Sequence, residues 1–134
     1  MPHRSFCGVN RTLETVGDAW SLLIVRDIAF SGAKTYNEFL NAEEGIATNI
    51  LSDRLKRLEV AGILEKRQDP SDGRRSLYQL TRKGIDLVPI LVNMVLWGIK
   101  HAGAELPPSV RDMVLGDPQG FVNQVTLAWE DNVR

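Results

Sequence analysis

Polar and charged side chains of the types that contact DNA follow one predicted helix, over residues 47–61. Leu51, Leu55 and Leu58 fall within about 60° of one another when each residue advances by about 100°, so they face the core. The opposite side and the flanks then carry Thr48, Asn49, Ser52, Asp53, Lys56 and Arg57. Asparagine pairs with adenine through two hydrogen bonds, serine and threonine adapt, and lysine or arginine binds guanine or phosphate. The pattern favours a major-groove surface, although the solvated side of an amphipathic helix has the same composition.

Asp53 limits how this surface can meet DNA. Phosphate would repel its carboxylate, so the residue either faces a base edge, such as the amino group of cytosine, or pairs with Arg57 one turn later. Both alternatives are compatible with the sequence.

Two adjacent arginines, Arg74 and Arg75, follow Asp72 and Gly73 at a predicted hairpin tip. A guanidinium group in that position can enter the minor groove, whose negative potential is strongest where the groove is narrow. Arg74 is the better candidate for the groove, whereas Arg75 is expected to pair with Asp69 or Asp72 and brace the loop. The alternative is a polar tip that serves only solubility.

The remaining reactive residue types do not combine into a catalytic or metal site. Cys7 is the only cysteine, and His3 and His101 are the only histidines, so no zinc-ligand spacing is present. The sequence contains neither a glycine-rich phosphate loop nor a nucleophile elbow, so we expect no enzymatic activity, no metal and no cofactor. Cys7 precedes a predicted helix and lies near Arg4 and Arg11 in sequence, two features that can activate a thiol. The alternative for Cys7 is a small apolar residue packed in an interface.

The charge distribution supports a local basic surface. The net charge is −1 for the whole chain, yet residues 48–84 carry nine basic and five acidic side chains. Residues 1–47 and 104–134 are both net acidic. DNA binding requires positive charge only on the contacting face. The apolar run 87–99 is interrupted by Asn93 and is shorter than the roughly 20 residues of a membrane span, and a single cysteine fits a reducing compartment, so we expect a cytoplasmic protein.

Hydrophobic spacing predicts the elements that position these residues. Short helices are expected over 8–16 and 35–42, the latter with a capping box from Thr35 and Glu38, and an apolar core helix over 19–30. Gly45 lies in the turn before the helix 47–61, which completes a helix-turn-helix pattern. Strands are predicted at 63–68 and 76–80 around a turn at 69–75. One helix, kinked at Pro89, is predicted over 81–103.

These elements together predict a mostly α-helical chain with a small β-hairpin wing (α+β), that is, a winged helix-turn-helix with N- and C-terminal dimerisation helices. The predicted domain organisation is 1–103 for the DNA-binding domain and 104–134 for a C-terminal helical extension. The helix 81–103 has more apolar surface than one small domain can cover. Trp20, Trp97 and Trp129 could line an effector pocket, but Trp20 and Trp97 lie on apolar stripes and suit a core or an interface.

The chain resembles the HxlR family of bacterial winged-helix transcription regulators over about residues 7–98. The motifs that carry the resemblance are the N-terminal Cys7, G-x-x-W at 17–20, N-E-F at 37–39, G-I-x-x-x-x-L-S-x-R-L at 45–55 and Y-x-L-T-x-x-G at 78–84. The wing DPSDGRR at 69–75 is closer to the D-x-x-D-x-R wing of the related MarR group. Ala47 replaces the usual serine cap, which moves the expected capping role to Thr48.

The resemblance implies a homodimeric, repressor-type regulator that binds a near-palindromic DNA operator. It places Thr48, Asn49, Ser52, Asp53 and Arg54 on the recognition helix and Arg74 and Arg75 on the wing. Arg54 lies about 60° from the core direction, so a phosphate contact suits it better than a base contact. A small-molecule effector and oxidation of Cys7 are two alternatives for control. A winged-helix module that docks an acidic protein partner is the alternative function.

Overall fold

Eight helices and one two-stranded sheet make up the part of the chain that the computed structural model describes, residues 3–133. In chain order they are α1 (Gly8–Val16), α2 (Ser21–Ser31), α3 (Tyr36–Leu40), α4 (Thr48–Val60), β1 (Leu64–Asp69), β2 (Asp72–Leu80), α5 (Arg82–Ile85), α6 (Val88–His101), α7 (Pro108–Gly116) and α8 (Pro118–Asn132). The mostly helical class with a hairpin wing, predicted from the sequence, is therefore confirmed.

Local sequence signals explain the helix-turn-helix formed by α3 and α4. Gly32 ends α2 with φ at 69°, a left-handed conformation that costs glycine little. Thr35 and Glu38 form the predicted capping box at the start of α3. The N-cap of α4 is Ala47, whose methyl group cannot accept a hydrogen bond, so this helix has no side-chain cap. The capping role predicted for Thr48 is therefore wrong. Thr48 is instead the first residue of the helix itself.

The wing is longer and its turn is tighter than the sequence suggested. β1 and β2 are antiparallel, pair Leu64 with Leu80 at their base and continue to Asp69 opposite Asp72. The predicted turn over 69–75 thus shrinks to the two residues between Asp69 and Asp72, and Arg74 and Arg75 belong to β2. The Asp69 carboxylate accepts a hydrogen bond from the backbone N–H of Ser71 at 2.9 Å, which closes the turn early.

The segment predicted as one kinked helix over 81–103 is divided into α5 and α6 at residues 86–87. Thr81 caps α5, because its hydroxyl accepts from the N–H of Gly84. Pro89 lies in the first turn of α6, where the missing N–H would have had no helical acceptor. The proline therefore begins a helix here and does not kink one.

One hydrophobic core joins the winged helix to the C-terminal helices. Leu51, Leu55 and Leu58 of α4 are buried as predicted. Val122 of α8 is buried in the same cluster, and the indole N–H of Trp129 donates to the backbone oxygen of Leu80 at 2.7 Å. The helix α8 thereby fixes the base of the wing.

An apolar surface remains uncovered on α6 and beside α1. Met94 and Trp97 of α6 are 52% and 63% exposed, and Phe6, which precedes α1, is 93% exposed. The stretch Arg82–His101 is long and apolar enough, by length and composition alone, to cross a membrane. That criterion is weak evidence, because core helices of soluble proteins also satisfy it. Here Val88, Leu91 and Val92 of α6 are buried in the protein core.

Candidate DNA interface

The helix α4 presents a polar face to solvent because its leucines are held in the core. Thr48, Asn49, Ser52, Asp53, Lys56 and Arg57 are all exposed. The hydroxyl of Tyr36 on α3 donates to the backbone oxygen of Thr48 at 3.2 Å and accepts from the Ser52 hydroxyl at 3.5 Å. Tyr36 therefore positions the start of α4, a role that the sequence pattern did not reveal.

Arg54 is turned away from the polar face towards the loop before α2. Only 17% of its side chain is exposed, and its Nε donates to Oδ1 of Asp18 at 3.0 Å. The sequence predicted a phosphate contact for Arg54 and did not predict this internal ion pair with Asp18. Because the pair joins α4 to the α1–α2 connection, Arg54 is a positioning residue in the free protein.

Asp18 is a strongly stabilised carboxylate. Partial burial disfavours its charge, but hydrogen bonds from the Ser21 hydroxyl, from the N–H groups of Trp20 and Ser21, and from Arg54 outweigh that cost. They lower the pKa of Asp18 from 3.8 to about 2. Asp18 thus serves both as the cap at the start of α2 and as the anchor of Arg54.

Asp53 is neutralised within its own helix. Its carboxylate pairs with Arg54 and forms an ion pair with Arg57 one turn later, with Nε of Arg57 2.9 Å from Oδ2. Of the two alternatives for Asp53, the structure thus shows the pair with Arg57. Among the described residues, Lys56 is the cation of α4 that forms no ion pair.

The two wing arginines have different environments, as predicted. Nε and Nη2 of Arg75 donate to Oδ2 of the buried Asp69 at 2.9 and 2.5 Å. Hydrogen bonds from the Ser71 N–H and hydroxyl, and then from Arg75, lower the pKa of Asp69 to about 2. Arg74 is exposed, and no described carboxylate lies within ion-pair distance of its guanidinium. Arg75 therefore braces the turn, whereas Arg74 has no such partner among the described residues.

Comparison with known proteins identifies the family. The model of the HxlR-like helix-turn-helix matches residues 15–106. This chain belongs to the HxlR-like helix-turn-helix family. The resemblance found in the sequence is thus confirmed, and chains of similar fold include a regulator of the MarR family from Porphyromonas gingivalis.

Three individual proteins illustrate the relationship. An HTH-type transcriptional regulator of Mycobacterium tuberculosis is 35% identical over 103 residues, which cover 77% of this chain and 64% of that protein. The solved structure of PA1607, a candidate transcription factor, has a TM-score of 0.67 at 38% identity and covers 78% of this chain and 70% of its own. The redox regulator HypR in its oxidised form has a TM-score of 0.64 at 28% identity and covers 75% and 100%. These names denote regulators and not enzymes, in agreement with the prediction of no enzymatic activity.

Cys7 of this HxlR-like chain lies at the start of α1 and is exposed. The backbone amides of Asn10 and Val9 favour the thiolate and lower the pKa of Cys7, although neither closes a full hydrogen bond to the sulfur. Arg11, which the sequence suggested as an activating cation, lies over the ring of Phe6, with Cζ 5.9 Å from the ring centre. The backbone N–H groups at the helix start, and not a cation, are therefore what lowers the pKa of Cys7.

The histidines and tryptophans take structural positions. His3 approaches Glu14 at 3.3 Å, and His101 packs against Trp97 with ring centres 5.3 Å apart. Over residues 3–133, no three His, Cys, Asp or Glu side chains are grouped to hold a metal ion. Of the three tryptophans, Trp129 lines a cavity of about 300 Å³, whereas Trp97 lies on the exposed apolar surface of α6.

Proposed function

We propose that this HxlR-like chain is a sequence-specific DNA-binding transcription regulator of the repressor type, which acts as a cytoplasmic homodimer. The carrying observation is that α4 exposes its polar face while Arg74, on the wing, has no described ion-pair partner. In this proposal residues 1–103 form the DNA-binding domain with its dimerisation helices, and residues 104–134 form a helical extension. The match spans 64% of the length of the mycobacterial relative. The function is therefore proposed from the residues of this chain and is not transferred from that longer protein.

In this proposal α4 enters the major groove of double-stranded DNA. Asn49 and Ser52 are exposed on its first two turns, as base contacts require. Lys56 and Arg57 lie further along the same face and suit phosphate. The carboxylate of Asp53 neutralises part of the positive charge of α4 through its pair with Arg57. Removing this carboxylate should therefore strengthen non-specific binding to DNA.

The wing is proposed to reach the adjacent minor groove through Arg74. Its neighbour Arg75 keeps the turn rigid through its ion pair with Asp69, so the tip of the wing is already ordered in the free protein. A preorganised tip loses less conformational freedom on binding. Arg75 then contributes to affinity mainly through the shape of the turn.

The exposed apolar surface of α6 and α1 is proposed as the homodimer interface. Met94, Trp97, Val9 and Leu13 are each at least half exposed and apolar. A two-fold symmetric dimer would place two α4 helices at half-sites about 34 Å apart, which requires a near-palindromic operator. Control by a small molecule or by oxidation of Cys7 is part of the proposal, and the structural similarity to the redox regulator HypR supports the second.

The test is DNA binding by three single variants and a matched control. Genome-fragment selection with the purified protein first yields a bound duplex. Fluorescence titration should then show that Arg74→Ala weakens every sequence and lowers the salt slope by about 1, whereas Asn49→Ala relaxes preference at one base position. Arg75→Ala should also weaken DNA binding, but it should lower the salt slope less than Arg74→Ala does, because the charge of Arg75 is already paired with Asp69. Arg111→Ala, on the exposed surface of α7, should change nothing.

Two outcomes would refute this assignment of the DNA-binding face. If Arg74→Ala and Asn49→Ala bind as tightly as the unchanged protein, the contact surface lies elsewhere. Weak binding to all duplexes with little salt dependence would favour the alternative, a winged-helix module that docks an acidic protein.

The redox part has its own test. Treatment with diamide should release the protein from its duplex, and Cys7→Ser should abolish that release because Cys7 is the only cysteine of the chain. Release that persists in the variant would exclude Cys7 as the sensor. Binding without oxidant should be equal in both proteins.

A further inference from the structure

A cavity of about 300 Å³ lies between α2, the base of the wing and α8. Its apolar lining includes Ile28, Leu80, Val125 and the ring of Trp129. The indole N–H of Trp129 is already bonded to the Leu80 oxygen, so the tryptophan offers the cavity its apolar ring and no free donor. Such a volume is at the lower end of the range of small-molecule pockets.

Two cations, Lys34 and Arg67, line the cavity and are exposed to solvent. Neither forms an ion pair with any carboxylate of the described chain, whereas Arg26, Arg54 and Arg75 all do. Within residues 3–133, the cavity therefore combines an apolar interior with two cations that have no ion-pair partner. That combination is complementary to a molecule with an apolar body and one anionic end.

We propose that this cavity binds a small amphipathic carboxylate, with its ring or chain against Trp129 and its anionic group between Lys34 and Arg67. Arginine recognises a carboxylate through two parallel hydrogen bonds, and the lysine adds a second charge. The match to the family model ends at residue 106, and α8 follows it, so one wall of the cavity is provided by residues outside the matched region.

The cavity lies where a ligand would act on the wing. The N–H of Tyr78 in β2 donates to the backbone oxygen of Lys34 at 2.8 Å, which joins the wing to the connection before α3. Arg67 lies in β1, two residues before the Asp69 that holds Arg75. A carboxylate that bridges Lys34 and Arg67 would restrict the angle between the wing and α4. This coupling rests on the proposed DNA-binding function, whereas ligand binding does not.

Calorimetric titration of the full chain without DNA tests the site. The probes are naphthoate and the uncharged naphthylmethanol, which share one ring system. We expect naphthoate to bind with a Kd below about 1 mM and naphthylmethanol to bind roughly tenfold more weakly. The double variant Lys34→Gln/Arg67→Gln should raise the Kd of naphthoate roughly tenfold and leave the Kd of naphthylmethanol unchanged. Lys66→Gln, the same change on the neighbouring residue that does not line the cavity, should bind both probes normally.

A second variant tests the apolar part. Ala128 lines the cavity and is solvent-exposed, so Ala128→Trp should fill the space without disturbing the core and should abolish binding of both probes. The proposal is overturned if naphthoate does not bind, or if its affinity is the same in the Lys34→Gln/Arg67→Gln protein. It is also overturned if Ala128→Trp, folded by circular dichroism, binds naphthoate as before.

The effect on DNA is measured separately. Adding saturating naphthoate to the duplex titration should change DNA affinity several-fold in the unchanged protein and not in Ala128→Trp. An equal DNA affinity with and without naphthoate would overturn the coupling. A chain that binds naphthoate as described but binds no DNA would refute the proposed function and leave the ligand site standing.

Discussion

Removing the charge of Asp18 should weaken the attachment of α4 to the connection between α1 and α2. In Asp18→Asn the side-chain oxygen can still accept from the N–H groups of Trp20 and Ser21, which lie at 2.8 and 2.9 Å. The charge attraction to Arg54 is lost. In Asp18→Ala the hydrogen bonds at the start of α2 disappear as well. The two variants thus separate the ion pair from the cap.

The pKa of Asp18 sets the scale of the effect. Lowering this pKa from 3.8 to about 2 corresponds to roughly 2.4 kcal/mol at about 1.36 kcal/mol per pH unit. Arg54 is one of several groups that lower this pKa, and 29% of the Asp18 side chain is exposed, so the part lost with the Arg54 pair is about 1 kcal/mol. We therefore expect Asp18→Asn to lose about 1 kcal/mol of unfolding free energy. Asp18→Ala should lose about 2 kcal/mol, since a helix cap contributes about 1 kcal/mol more.

Urea denaturation followed by circular dichroism measures these losses at several pH values. The folded pKa lies below the unfolded pKa, so the stabilisation is complete above pH 3.8 and is lost as the pH falls towards about 2. The stability difference between the unchanged protein and Asp18→Asn should therefore be constant near neutrality and shrink in acid. Asp112→Asn, on the exposed surface of α7, should show neither effect. A loss below about 0.3 kcal/mol for Asp18→Asn, or a difference independent of pH, would contradict this account of Arg54.

Two further predictions concern packing and assembly. A Cβ atom at Gly84 would lie 2.3 Å from the backbone oxygen of Ile63. In urea denaturation, Gly84→Ala should therefore lower the free energy of unfolding by about 2 kcal/mol. Gly73→Ala should leave it almost unchanged, because the space around Gly73 is open. Equal stability of the two variants would show that the contact relaxes freely. Trp97→Ser should raise the dimer dissociation constant at least about tenfold in sedimentation velocity, because large aromatic side chains dominate interfaces. Val60→Ser, at an 80% exposed position on α4, is the control, and an unchanged dimer in Trp97→Ser would place the interface elsewhere.

The sequence predicted the elements that depend on local spacing. The leucine pattern of α4 and the Thr35–Glu38 capping box were visible because helical periodicity and capping act within a few residues. The tight wing turn was missed because Pro70 and Gly73 together resembled a longer loop, whereas Asp69 closes the turn through Ser71. The fold class and the family followed from the combination of these local signals.

The contacts between distant residues were not predictable from the pattern. Asp18 and Arg54 are 36 residues apart, and only the packing of α4 against α2 brings them together. The docking of α8 was equally hidden, since residues 104–134 are net acidic and moderately polar. For Arg75 the sequence could name Asp69 and Asp72 as partners but could not choose between them. Such choices depend on the final register of β1 and β2.

Because Ala47 provides no cap, the first turn of α4 should open more readily than the first turn of α3. The capping box of Thr35 occupies amides at the start of α3, whereas the first amides of α4 have no side-chain acceptor. Local opening of the chain should therefore begin at Thr48 and Asn49, while the buried leucines hold the rest of α4 closed. In amide hydrogen exchange, the turn that carries the proposed base contacts should be the first part of the recognition helix to take up deuterium.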